Sequence, residues 1–138
     1  MPTDLNLSET GLTALVVEDN SLFRVVLSSM LIQRGFSVIE EKSAEQALNH
    51  LRTTPIDLVL LDIMMPGMSG IELCHQIREE LELEDIPVIA YTAHSDMFNV
   101  AHMRMAGFND ILTKPISAEA LERALQQYSL FEPSHANS

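Results

Sequence analysis

Short, unbroken apolar runs alternate along the chain with stretches of helical spacing, and this alternation restricts the fold more than any other feature. Apolar runs at Thr13 to Val17, Ile56 to Leu61 and Ile86 to Tyr91 predict strands that are buried on both faces. Phe36 to Glu40 predicts a strand that is more exposed than these, and Asp110 to Thr113 predicts a short fifth strand. Because parallel strands need a long return connection, which a helix supplies, the pattern predicts an α/β fold with a doubly wound, five-stranded parallel sheet and five helices.

Serine and glycine residues mark the ends of the predicted helices. Ser21 to Arg34 has helical spacing, and Gly35 follows it where a left-handed C-terminal cap is expected. Serine is a favoured N-cap because its hydroxyl accepts a hydrogen bond from a backbone N–H of the first turn. The other four helices are predicted from Ser43 to near Arg52, from Ser69 to about Leu81, from Ser95 or Asp96 to Gly107, and from Ser117 through Tyr128.

Length and composition indicate one globular domain. The 138 residues, 46% of them hydrophobic, predict a single core at 13–130, with an N-terminal tail at 1–12 and a C-terminal tail at 131–138. The N-terminus lacks the pattern of a secretory signal, and no apolar run is long enough to span a membrane, which predicts a cytoplasmic location. The formal net charge of -12 disfavours direct binding to nucleic acid or to anionic membranes. The expected partners are proteins and cations.

Polar residues follow four of the predicted strands. Glu18 and Asp19 follow the first, Asp62 the third, Thr92 the fourth and Lys114 the fifth. Parallel strands bring their carboxyl ends to one edge of the sheet, and ligands bind at that edge in folds of this class. We therefore expect these five side chains to meet in one site.

The residue types in this set suit phosphoryl chemistry. Three carboxylates in one site repel each other unless a cation lies between them. Mg²⁺ (or Mn²⁺) is the expected cation, because it takes oxygen ligands from carboxylates and backbone carbonyls. Lys114 and the Thr92 hydroxyl would contact phosphate oxygens, and Asp62 would be the nucleophile, since carboxylates form acyl phosphates.

Four motifs, in their order along the chain, resemble the receiver domain of two-component response regulators and hybrid histidine kinases. They are VVEDN, LVLLDIMMPGMSG, IPVIAYTA and GFNDILTKPI, and the resemblance covers about Thr13 to Tyr128. It implies a CheY-like, flavodoxin-like fold. It also implies that the protein is a signalling switch, which phosphorylates and dephosphorylates itself and has no separate substrate.

The resemblance gives the site residues their roles. Asp62 would accept a phosphoryl group from a phosphohistidine in a Mg²⁺-dependent reaction, while Thr92 and Lys114 would contact that group. The metal would be held by Glu18, Asp19, Asp62 and the backbone carbonyl of Met64, and the Lys114–Pro115 peptide bond would be cis.

The same resemblance indicates partners and one departure. A sensor histidine kinase or a histidine phosphotransfer domain would supply the phosphoryl group, an unknown downstream protein would read it, and a homodimer through the face of the fourth helix is a further expectation. Many family members have Tyr or Phe three residues before the lysine, whereas this chain has Ile111. We therefore expect phosphorylation to be read by backbone shifts near Thr92 to Asp96 and in the fourth helix.

Two alternative functions are less well supported by the sequence. A pseudo-receiver, which binds partners without phosphorylation, often lacks the acceptor or the acidic pair, and both are present here. A small phosphohydrolase of the haloacid dehalogenase type resembles D-x-D at the nucleophile, but Met64 replaces the second aspartate. A stand-alone regulator and a receiver of a hybrid kinase both fit the sequence.

Overall fold

A computed structural model describes residues 11–65, 67–93, 100–128 and 130. Within them the strands are β1 (Thr13–Val17), β2 (Ser37–Glu41), β3 (Leu58–Asp62), β4 (Val88–Thr92) and β5 (Asp110–Thr113). The helices are α1 (Ser21–Ile32), α2 (Ala44–Thr53), α3 (Gly70–His75), α4 (Val100–Met105) and α5 (Ala118–Gln127), and α3 continues as a π-helical segment, Gln76–Glu80. The strands form one parallel sheet in the order β2-β1-β3-β4-β5. The predicted α/β, doubly wound fold is confirmed.

The sheet separates two hydrophobic clusters, because successive side chains of a strand point to opposite faces. Leu60 of β3 packs on one face with Leu31 of α1 and Leu125 of α5. Leu61, the next residue, packs on the other face with side chains of α2, α3 and α4. The strands β3 and β4 are buried along their whole length, whereas β2 and β5 are partly exposed. The central strands therefore form a rigid support for whatever lies at their carboxyl ends.

β3 and β4 begin two residues later and end one residue later than the sequence predicts. Asp57 precedes β3 because its carboxylate accepts the N–H of Thr13 at 2.9 Å and its own N–H donates to the Thr13 carbonyl at 2.8 Å. β4 begins after Pro87, which has no N–H to donate to a strand ladder. Asp62 and Thr92 are consequently the last residues of their strands instead of the first residues beyond them.

α1 ends at Ile32, two residues before the predicted Arg34. The N–H groups of Gly35 and Phe36 turn back to the carbonyls of Ile32 and Leu31, which is the Schellman pattern of hydrogen bonds. Gly35 has a φ of +94°, as expected for the residue that ends a helix in this way. Because Phe36 takes part in the cap, β2 begins and ends one residue later than predicted.

The third helix, predicted to be α-helical from Ser69 to about Leu81, changes after His75 to a π-helical turn. The N–H of Leu81 donates to the carbonyl of Gln76, five residues earlier. Arg78 lies in this turn, and its guanidinium donates to backbone carbonyls of the segments that lead into β4 and β5. These contacts are long-range and leave no trace in the local spacing of apolar residues.

α4 ends at Met105, two residues before the predicted Gly107, because the N–H groups of Gly107 and Phe108 turn back to the carbonyls of Arg104 and Met103. The remaining predicted ends agree with the structure to within one residue, or lie outside the described residues. The N-caps Ser43, Ser69 and Ser117 each accept a backbone N–H, and β5 has its predicted bounds. α2 ends at Thr53 and α5 at Gln127, one residue from the prediction in each case. The start of the fourth helix at Ser95 or Asp96, the tail at 131–138 and most of the tail at 1–12 lie outside the described residues. Membrane crossing would need a longer or more apolar helix than any that the described residues form.

Gly70 begins α3 directly against the end of β3. A Cβ at this position would lie 2.5 Å from the carbonyl oxygen of Asp62 and 2.8 Å from the Cα of Ile63. Because backbone atoms cannot move aside as the end of a side chain can, we expect Gly70→Ala to lower the free energy of unfolding by about 3 kcal/mol. The measurement is urea-induced unfolding.

Gly67→Ala is the matched control for that substitution. The nearest described atom to a Cβ at Gly67 is Oε2 of Glu45, at 3.5 Å, so only the positive φ of +79° opposes the substitution. A left-handed conformation costs a residue with a Cβ about 1 kcal/mol. A smaller loss for Gly70→Ala than for Gly67→Ala would contradict the close packing of α3 on β3.

Candidate functional site

Three carboxylates lie together at the carboxyl edge of the sheet. β1 and β3 pair directly, with Val17 opposite Leu61, so the residues that follow these two are neighbours. One oxygen from each of Glu18, Asp19 and Asp62 lies within 4.8 Å of the others. Glu18 and Asp62 are buried, and Asp19 is exposed to solvent. The structure thus brings together the three acidic residues that the sequence predicts to meet.

Lys114 reaches these carboxylates from the β5 side of the sheet. Its backbone N–H donates to the Thr92 carbonyl at 2.8 Å, which continues the ladder between β4 and β5 by one residue. Its Nζ lies 2.8 Å from Oε1 of Glu18 and 3.1 Å from Oδ2 of Asp62. The Lys114–Pro115 peptide bond is cis, as the resemblance implied. Lys114 therefore joins two of the three carboxylates by ion pairs.

A surface cavity of about 220 Å³ opens beside Asp62, with walls formed by Asp62, Met64, Thr92, Ala93 and Lys114. Thr92, the last residue of β4, is 1% exposed. The N–H of Met64 donates to Oδ1 of Asp62 at 3.1 Å, so the backbone of this residue lies against the carboxylate. Use of the Met64 carbonyl as a metal ligand stays a prediction. The cavity gives a small group access to Asp62 between a cationic and a hydroxyl side chain.

Three residues that the sequence analysis missed also contact the site. The Tyr91 hydroxyl donates to Oε1 of Glu18 at 2.5 Å. The Nζ of Lys114 lies 4.7 Å from the centre of the Phe23 ring and 4.8 Å from that of Tyr91. Arg24 donates to the backbone carbonyl of Glu18 at 2.8 Å. Tyr91 alone carried a signal in the sequence, because a phenol in an otherwise aliphatic buried strand needs a hydrogen-bond partner.

Burial and neighbouring charges shift the pKa values in this cluster. Burial, together with the charge of Glu18, raises the pKa of Asp62 to about 6 even though Lys114 opposes the shift. Burial alone would raise the pKa of Glu18, but hydrogen bonds from Lys114, Tyr91 and the N–H of Asn20 lower it below its usual value. Burial alone would lower the pKa of Lys114, but its contacts with both carboxylates raise it. At neutral pH the buried part of the site therefore carries two negative charges and one positive charge.

This donor set fits a hard divalent cation. Mg²⁺ prefers carboxylate and carbonyl oxygens and keeps several water ligands. Two buried carboxylates and a third that faces solvent offer that combination, and Lys114 leaves their charge only partly neutralised. The site therefore satisfies the chemistry that magnesium requires.

The raised pKa of Asp62 makes the stability of the metal-free protein depend on pH. Because the folded state holds this proton more tightly than the unfolded chain, Asp62 contributes stability below about pH 4 that is lost as the pH rises through about 6. Asp62→Asn removes the charge that is costly in the folded state. Without metal, we therefore expect the unfolding free energy of this variant to be about 1–2 kcal/mol higher than that of the wild type at pH 7.5, and the two to be equal near pH 4.

The matched control is Asp19→Asn, which removes a charge of the same cluster from an exposed position. Solvent screens this charge, so its removal should change the unfolding free energy by less than about 0.5 kcal/mol. Urea unfolding in EDTA at several pH values measures both variants. A difference between Asp62→Asn and the wild type that does not vary with pH would contradict the assignment of a raised pKa.

Comparison with known sequences gives the chain its relatives. The family model of the response regulator receiver domain matches residues 14–126. The chain is 36% identical over 108 residues to the CAI-1 autoinducer sensor kinase/phosphatase CqsS of Vibrio cholerae. The aligned region covers 78% of this chain and 16% of that protein. It is 37% identical over 122 residues to the uncharacterized transcriptional regulatory protein YrkP of Bacillus subtilis. Here the aligned region covers 86% of this chain and 51% of that protein. The chain thus spans only about a sixth to a half of the length of these two relatives.

Solved structures share the fold over most of the chain. The receiver domain of the sensor histidine kinase PA1611 of Pseudomonas aeruginosa PAO1, with a magnesium ion coordinated in its active site cleft, matches with a TM-score of 0.77 at 30% identity, covering 86% of this chain and 97% of that one. A putative response regulator from Chloroflexus aurantiacus J-10-fl matches with a TM-score of 0.77 at 28% identity, covering 85% and 97%. From its sequence motifs, its sheet topology and these matches, the chain belongs to the response regulator receiver domain family.

Proposed function

We propose that Asp62 is the residue that carries the phosphoryl group in this receiver domain of a two-component phosphorelay. The observation that carries this assignment is the ion pair between Asp62 and Lys114 at the cavity wall, 3.1 Å long, next to Thr92. Asp62 ends a strand that is buried along its whole length, so its carboxylate is held in one place. A fixed carboxylate beside a cation and a hydroxyl group is suited to accept a phosphoryl group.

The proposal assigns the metal to the three clustered carboxylates. Glu18, Asp19 and Asp62, with the backbone carbonyl of Met64, would hold Mg²⁺, and Mn²⁺ could replace it. When bound, the ion supplies positive charge that screens the repulsion between phosphoryl oxygens and the carboxylates. Asp19, exposed at the rim of the cluster, is the ligand closest to bulk solvent.

The proposed reaction moves a phosphoryl group from nitrogen to oxygen. The N–P bond of a phosphohistidine breaks, and its electron pair returns to the imidazole nitrogen, while an oxygen of Asp62 forms the new O–P bond. Lys114 would contact one phosphoryl oxygen through its Nζ. The Thr92 hydroxyl would contact another from the end of β4. Hydrolysis of the acyl phosphate would return Asp62 to its free form without a separate substrate.

The donor would be a sensor histidine kinase or a histidine phosphotransfer domain. The relatives that support this proposal include CqsS and the sensor histidine kinase AruS of Pseudomonas aeruginosa, which is 36% identical over 131 residues. We further infer that the domain acts in the cytoplasm, and that an unknown downstream protein reads its phosphorylated form. A homodimer through the α4 face stays a proposal of the same kind.

The output would depend on backbone shifts, because the side chain that precedes Lys114 by three residues is aliphatic. Ile111 is half-buried and packs against the cluster on the α2, α3 and α4 face of the sheet. It has no ring that could turn inward when the Thr92 hydroxyl moves. We therefore expect the carboxyl end of β4 and the α4 region to carry the signal.

Incubation with acetyl phosphate and Mg²⁺ tests the proposed function. We expect the intact mass of the wild type to increase by one phosphoryl group, and peptide mapping to place the group on Asp62. EDTA should abolish the modification, because the ion is required to screen the incoming charge. A wild-type protein that gains no mass would contradict the proposal.

Two variants make this test specific. Asp62→Asn should gain no phosphoryl group, because its amide is not a nucleophile. Asp57→Asn is the matched control: Asp57 lies at the opposite end of β3, where its side chain accepts the N–H of Thr13. This variant should be modified like the wild type, and loss of labelling in both variants would show that the effect is not specific to Asp62.

Magnesium should stabilise the protein, because the three carboxylates come together only in the folded state. At a Mg²⁺ concentration of ten times the dissociation constant, we expect a gain of about 1.4 kcal/mol in unfolding free energy. EDTA should remove this gain, and Asp19→Asn should reduce it at any fixed Mg²⁺ concentration. Thermal unfolding with and without the ion measures the effect. An Asp19→Asn variant that responds to Mg²⁺ as the wild type does would argue against Asp19 as a ligand.

A further inference from the structure

Tyr91 holds Glu18 in a single orientation. It belongs to β4 and lies opposite Asp62 of β3 in the sheet register. Its side chain is 1% exposed, and its hydroxyl donates to Oε1 of Glu18, the oxygen that also accepts Lys114. The other oxygen of Glu18, Oε2, accepts the N–H of Asn20 at 2.9 Å. The Glu18 carboxylate therefore cannot rotate without breaking a hydrogen bond at both of its oxygens.

Tyr91 also contacts the cation that Glu18 binds. The Nζ of Lys114 lies 4.8 Å from the centre of the Tyr91 ring and 4.7 Å from that of Phe23, within the range of cation–π attraction. A lysine side chain is long and flexible, and a single ion pair leaves it free to take several rotamers. Two rings and two carboxylates together restrict the ammonium to one position.

We propose that Tyr91 is a positioning residue for phosphoryl transfer, which sets Lys114 against Asp62 through its hydroxyl bond to Glu18 and through its ring. The proposal rests on the proposed function of Asp62 as acceptor. Lys114 is then held in advance where negative charge develops on the phosphoryl oxygens, and no reorganisation of the ammonium is needed at the moment of transfer. Phe23 acts in the same way from α1, through its ring alone.

The test is the rate constant of phosphorylation by acetyl phosphate at saturating Mg²⁺, followed by intact mass. Tyr91→Phe keeps the ring and removes only the hydroxyl. We expect its rate constant to fall about fivefold, the factor that one hydrogen bond of ordinary strength corresponds to. Phe23→Leu, which removes the second ring, should lower the rate constant by about three- to fivefold. It tests the same restraint from another element if Tyr91→Phe fails to fold.

A double variant separates positioning from a purely structural role. If Tyr91 acts through Lys114, then Tyr91→Phe should change the rate constant of a Lys114→Gln protein by less than about twofold, because the charge that it positions is gone. A structural role would lower the unfolding free energy of Tyr91→Phe and leave the rate constant of the folded protein unchanged.

The chain offers a matched control, since Tyr128 is its other tyrosine. The Tyr128 hydroxyl donates to the carbonyl of Asn109 at 2.7 Å, away from the site. Tyr128→Phe should keep the wild-type rate constant. The positioning role would be overturned if Tyr91→Phe were phosphorylated on Asp62 with the rate constant of the wild type. It would also be overturned if Tyr128→Phe lowered the rate constant as much as Tyr91→Phe does. A wild type that is not modified at all would instead contradict the proposed function.

Discussion

The two ion pairs of Lys114, with Glu18 and with Asp62, are the interaction on which the site depends. Lys114 and Asp62 are 52 positions apart in the sequence, and the sheet brings them to 3.1 Å. Without this ammonium, Glu18 and Asp62 would be two buried carboxylates side by side, which is costly because each disfavours ionisation of the other. Lys114 makes this arrangement tolerable in the metal-free protein. It also leaves the cluster with net negative charge, which is the condition for attracting a divalent cation.

The fold supplies the rigidity that this arrangement needs. Asp62 ends the strand at the centre of the sheet, and α3 starts so close to it that Gly70 has no room for a Cβ. Such a position is unfavourable for a carboxylate, as the raised pKa of Asp62 shows. A chain that keeps an acid there loses stability but holds a carboxylate that is fixed and only partly neutralised, and ionisable groups with shifted pKa values are typical of functional sites.

Much of the fold and of the candidate site could be predicted from the sequence, because both follow from the alternation of strands and helices. Once the strands are parallel, the residues at their carboxyl ends must share one edge, which is why the sequence alone predicts that Glu18, Asp62 and Lys114 meet. The strand boundaries were wrong where a proline or a side-chain hydrogen bond decided them, as at Asp57 and Pro87. The proline acts locally, whereas the hydrogen bond of Asp57 reaches Thr13, 44 positions away, and a count of apolar residues includes neither effect.

The partners of Tyr91, Phe23 and Arg78 could not be predicted, because each partner is distant in the sequence. The buried phenol of Tyr91 indicated only that a partner was needed, not which residue it is. The Tyr91 hydroxyl and Glu18 are 73 positions apart, and the aromatic spacing of the chain gives no sign of their contact. Arg78, in the π-helical turn, likewise donates to a carbonyl 29 positions away. Residues of this kind support a site by tertiary packing, whereas residues at the strand ends are placed there by topology.

A crystal structure of the protein with Mg²⁺ and beryllofluoride, a mimic of a phosphoryl group on a carboxylate, would test the central claim most directly. The account predicts beryllium bonded to an oxygen of Asp62, a fluorine within hydrogen-bonding distance of the Lys114 Nζ, and the metal bound by the carboxylate cluster. It also predicts that Lys114 keeps its contact with Glu18. Beryllofluoride bound elsewhere, or a Lys114 side chain that turns away from Asp62 into solvent, would contradict it.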